Sequence, residues 1–169
     1  MSTNMRISSF TGLLLAAYFI PTWTIIALRI MVSPIHGFFE RPNISIAVFI
    51  GDHLHLAATG MVRAAWLLAL GRLTVVAFFA VFLVHLARPS MRKPSIHKPS
   101  IRKTGAADEA LGMALGIGSL ISFAGMITAS QVGEVAACQL HATELLILLG
   151  TVIVLLVPLR DDQGARVSA

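Results

Sequence analysis

Residues Ile44–Lys103 read ISIAVFIGDHLHLAATGMVRAAWLLALGRLTVVAFFAVFLVHLARPSMRKPSIHKPSIRK. An apolar run interrupted by Asp52, His53 and His55 passes through Arg63 and Arg72 into the almost purely apolar segment Leu73–Ala87. It ends in a loop carrying Arg88, Arg92, Lys93, Lys98, Arg102 and Lys103 and no acid. An apolar stretch followed by a purely basic loop is how a membrane protein encodes its orientation.

The remaining composition agrees. Of 169 residues 56% are hydrophobic and 12% charged, and the mean hydropathy is +0.82. A soluble domain of this size cannot hide that much apolar surface, so the bilayer is the expected solvent. The net charge of +5 does not point to nucleic acid, because the cations lie between apolar stretches and form no groove-binding face. The lone Cys138 allows no intrachain disulfide and no CxxC motif.

Four spans are expected, at about 9–32, 64–87, 107–130 and 138–159, in one membrane domain covering 1–169. In the first, the apolar run after Arg6 continues past Pro21 to Trp23, Ile25, Ile26 and Leu28. No small-x-small cleavage signal closes it, so a retained helix is expected in place of a signal peptide. Pro21 should kink it, Arg29 can snorkel at its end, and Tyr18 and Trp23 lie too deep for an interfacial belt and should face neighbouring helices. Residues 44–60 are marginal in length and carry three ionisable groups. With no turn signal before Ala64, they are expected to form an interfacial or half-inserted helix leading into the second span; a full crossing there would give five spans. The fold class is therefore an all-α integral membrane bundle of four transmembrane helices with an interfacial helix between the first and second.

The basic loop 88–104 repeats Arg-Lys-Pro-Ser-Ile, His-Lys-Pro-Ser-Ile and Arg-Lys. Proline at every fifth residue precludes a regular helix. Arg92, Lys93, Lys98, Arg102 and Lys103 set topology, with anionic lipid or a partner as the contact they could make. In the third span Gly112, Gly116, Ser119 and Ser122 recur at three- and four-residue spacing, as do Ala114, Gly118 and Ser122. Small residues so spaced let another helix approach closely, either within the chain or, through Gly112 and Gly116, from another subunit or a second copy. With the basic loop inside, nine of the thirteen Lys and Arg fall on the inner side. That places the protein in the cell (inner) membrane with both termini cytoplasmic.

Two polar groups then share the outer side: Asp52, His53 and His55, and Glu134, Cys138, Gln139, His141 and Glu144. Asp52/His55 and His141/Glu144 are each three residues apart and share a helix face. Imidazole with carboxylate suits a transition metal, so His53, His55, His141, Asp52 and Glu144 are the candidate metal or haem ligands. A b-type haem needs two axial ligands at matching depth; His141 with His53 or His55 would supply them, whereas His85 has no spanning partner. The structural reading is that Arg63 and Arg72 neutralise Asp52 and Glu144 as intramembrane ion pairs. Phosphate-cradling glycine loops, GxSxG and HExxH are all missing from the sequence, so catalysis is not expected. Three functions follow: a non-catalytic accessory or assembly subunit, a haem- or metal-binding redox subunit, or a small proton or ion conductor using Asp52, Arg72 and Glu144.

Overall fold

The computed structural model describes residues 3–32, 41–87 and 105–167. Within them the chain forms α1 (Thr3–Val32), α2 (Arg41–His53), α3 (Ala58–Ala87), α4 (Gly105–Val132) and α5 (Val135–Val167). The stretches Ser9–Val32, Ala58–Ala87, Ala106–Val132 and Val135–Leu156 are long and apolar enough to cross a membrane. The chain is thus an all-α membrane bundle of four spanning helices with a shorter helix between the first two, as the hydropathy pattern requires. The basic loop, with Arg92, Lys93, Lys98, Arg102 and Lys103, lies outside the described residues.

Glycine positions give the register. A Cβ on Gly12 of α1 would meet Phe82 of α3 and Leu111 of α4, so the start of α1, the end of α3 and the start of α4 share one level. On α5, His141 faces Gly125 and Leu148 faces Gly118, so α5 runs antiparallel to α4. Successive spans therefore alternate, and α1 begins where α5 finishes. We refer to that as the terminal end of the bundle and to the other as the turn end.

The α4–α5 turn is built by a glycine that only a left-handed backbone can use. Gly133 has φ +78°, and the Glu134 N–H donates to Ala129 O at 2.9 Å while Gly133 N–H donates to Ser130 O at 3.4 Å. This is the Schellman closure, which satisfies carbonyls that the end of a helix leaves open. The break between α2 and α3 uses the same device without glycine. His55 adopts φ 49°, and the Leu56 N–H reaches back to Gly51 O at 2.9 Å. The chain reverses here within four residues, where the sequence, lacking a glycine or proline, carries no turn signal. As a result α2 ends at His53 and α3 begins at Ala58, six residues before the expected 64.

Ala47 of α2 clusters with Ala27 and Ile30 of α1 and with Ala65 and Ala69 of α3, and Gly51 abuts Met61. Following α2 backwards from His53 therefore leads from the turn end into the bundle, alongside the first part of α3. The helix packs against the bundle, and its N-terminal end is directed toward the middle.

The main core fills the other half. Leu15, Phe19 and Trp23 of α1 pack with Val75, Phe79 and Phe82 of α3, Leu111, Ala114 and Leu115 of α4 and Leu148 of α5. Phe19 is stacked on Phe79 at 5.8 Å and meets Trp23 edge-on at 5.1 Å, arrangements that the ring quadrupoles favour. Aliphatic residues such as Leu14, Leu28, Leu67, Leu120, Leu146 and Ile153 are exposed on the outside; lipid is the environment that suits them. Tyr18, expected to face a neighbouring helix, is 43% exposed, whereas Trp23 is buried as expected.

Candidate functional site

Glu144 is the hub of the polar residues inside the bundle, 2% exposed in the middle of the α5 span. Three side chains from three helices hold it. The indole Nε1–H of Trp23 on α1 donates to Oε1 at 2.9 Å. The Ser122 hydroxyl on α4 donates to Oε2 at 3.1 Å, and His141 Nδ1, one turn earlier on α5, lies 3.0 Å from the same oxygen. Hydrogen bonds to a charged group are about twice as strong as neutral ones, and a carboxylate in a dry interior requires them.

Each partner is where its helix puts it. The three-residue spacing brings His141 over Glu144. Ser122 belongs to the inward face of α4 with Ala114, Gly118, Gly125 and Ala129, all buried. At Gly125 the absence of a side chain is required: a Cβ would lie 2.7 Å from His141 Cδ2 and 2.8 Å from Nε2. The imidazole is thus held between the α4 backbone and the Glu144 carboxylate.

Arg72 completes the group. Because α3 starts at Ala58, Arg72 stands halfway along its span and not in the outer half as the shorter span implied. It is 2% exposed. Its guanidinium carbon lies 5.8 Å from the Trp23 ring centroid, within range of a cation–π attraction, and its charge interacts with that of Glu144. Its Nε and Nη1, however, are buried with no hydrogen-bond partner among the described residues. The Ser45 hydroxyl on α2 is also buried and without a partner among the described residues.

Of the residues singled out in the sequence, the structure brings Arg72, His141 and Glu144 together. Asp52, His53, His55 and Arg63 are exposed at the turn end, and the His53 ring leans on Phe49 at 4.2 Å. Among the described residues, no three His, Cys, Asp or Glu side chains come together as a group that could hold a metal. Gly112 and Gly116 do not share the inward face of Ser122; both are exposed, with nothing among the described residues within 4 Å of an added Cβ.

Trp23 and Ser122 were not legible as site residues. Trp23 signalled its role only through its depth in the first span, and Ser122 read as one more small residue. Gly125 gave no signal at all.

The arrangement can hold charge in the membrane interior and can pass a proton between His141 and Glu144, whose ring nitrogen and carboxylate oxygen are in hydrogen-bond contact. Set against known proteins, the chain matches no family model, no curated protein and no solved structure.

Proposed function

We propose that this chain is a small multi-pass protein of the inner membrane, with both termini cytoplasmic, that handles a proton or small ion at the Arg72–Glu144–His141 site. The observation supporting this is that a buried arginine and a buried glutamate occupy the centres of two different spans. A charged side chain at that depth costs about 2.5–3.5 kcal/mol on insertion scales. Apolar side chains of similar volume could pack the same bundle without that cost, and replacing buried ion pairs in this way is often neutral or stabilising. Charges kept at such a depth are best understood as working groups.

Flux through proteoliposomes under an imposed ion or pH gradient is the test. Wild type should dissipate the gradient, and Glu144→Gln, which keeps the shape and some of the hydrogen bonds, should lower the rate at least about tenfold. Vesicles no leakier with wild-type protein than without it would sink the proposal.

A non-catalytic accessory subunit is the second reading, favoured by the exposed, unobstructed Gly112 and Gly116 on α4, where another helix could approach closely. Bulky substitutions there should disrupt a complex isolated from native membranes while leaving the chain itself folded.

A further inference from the structure

We propose that the middle of the bundle, at the level of Arg72 and of the inward-directed end of α2, binds a compact monovalent anion. This rests on the ion-handling reading above and names the ion. Four observations converge on it.

Arg72 is 2% exposed, and its Nε and Nη1 have no partner among the described residues. An arginine carries five N–H donors and no acceptor, so what is lacking is an acceptor. Glu144 accepts from Trp23 and Ser122 and contacts His141, and among the described residues neither it nor any other group accepts from Arg72 Nε or Nη1. Arg72 is therefore left with donors that no protein group uses.

The second observation is Ser45, 2% exposed, whose hydroxyl is also buried and unpartnered among the described residues. It lies near the N-terminal end of α2, beyond Ala47 on the way in and on the opposite side of that helix. Ala47 clusters with Ala65 and Ala69, and Ala69 is one turn from Arg72 on α3, so Ser45 stands near the level of Arg72. The third is the direction of α2 itself. Its positive dipole end is aimed at the level of Arg72, and a helix N-terminus that stops inside a membrane protein is suited to an anionic group.

The fourth concerns size and charge. The turns of α3 on either side of Arg72 present Ala69, Val75 and Phe79 to the buried interior, and Phe19 and Trp23 face them from α1. Such walls favour a small, weakly hydrated ion. Because the Glu144 charge also acts on Arg72, the site accommodates no more than a single negative charge.

Trp23, beside Arg72, is a built-in reporter, and the only other tryptophan, Trp66, is exposed. In detergent-purified Trp66→Phe protein, iodide would be titrated against gluconate at constant ionic strength. Quenching of Trp23 should saturate and should be reversed by chloride. The midpoint should rise about tenfold in Arg72→Lys and severalfold in Ser45→Ala, as expected for loss of hydrogen bonds to a charged ligand. Quenching that is absent, or that grows linearly, or that keeps its midpoint in folded Arg72→Lys and Ser45→Ala would overturn the site. Should Arg72→Lys lose its helical circular dichroism, Ser45→Ala decides alone. Binding without flux would retain the anion site and discard the conductor; flux without saturable binding would do the reverse.

Discussion

At the scale of the residue, the bundle depends on how Glu144 is held. Trp23→Phe removes the Nε1–H donor to Oε1 while keeping an aromatic ring in the core. It should cost about 2 kcal/mol, typical of a hydrogen bond to a charged group, read as a lower thermal midpoint in detergent. Trp66→Phe, at an exposed site, should stay within about 0.5 kcal/mol of wild type. Gly125→Ala should be worse than its size suggests, because its Cβ would meet the His141 ring at 2.7 Å and displace it from Glu144. The His141–Glu144 pair could be read from spacing alone, because partners on one helix are fixed by its periodicity. The Trp23 and Ser122 contacts could not, because they join residues 121 and 22 positions apart from Glu144, and only the register of the packed helices creates them.

At the scale of the element, two turns of the same design make opposite predictions. Gly133 is at φ +78°, where a side chain costs about 1–2 kcal/mol, so Gly133→Ala should destabilise the α4–α5 hairpin by that amount. His55 bears the strain already at φ 49°, so His55→Gly should stabilise the fold by up to about 1 kcal/mol, read as a raised thermal midpoint. Thermal unfolding of both variants beside wild type checks the pair. An unchanged or lowered midpoint in His55→Gly would show that the histidine is not held in the left-handed region. The same two turns explain what was legible. Gly133 followed by Glu134 announced a tight connection, and hydropathy marked four spans. The reversal at Leu54–Ala57 was hidden because a histidine performs it, and missing it displaced the start of α3 and with it the depth of Arg72.

At the scale of the whole molecule, alternating spans put the start of α1 and the finish of α5 at one end and the α2–α3 and α4–α5 turns at the other. If the terminal end is cytoplasmic, as the distribution of basic residues predicts, a membrane-impermeant thiol reagent added to intact cells should label His55→Cys. In that experiment Cys138 is first replaced by Ser, leaving no native thiol, and a cysteine at Ser2 should label only after lysis. The reverse pattern would invert the topology without altering the bundle.

The midspan position of Arg72 also has a consequence for biogenesis. Its charge partner Glu144 is encoded 144 − 72 = 72 residues later, so at about 5–20 residues per second α3 emerges roughly 4–14 s before the carboxylate that balances it. For that interval the nascent chain carries a lone cation in a segment destined for hydrocarbon. The insertion machinery, or water drawn into a thinned bilayer, has to shelter it until α5 arrives. Synthesis halted in the α4–α5 turn would leave that cation permanently exposed to lipid, the kind of flaw by which membrane quality control recognises an incomplete protein.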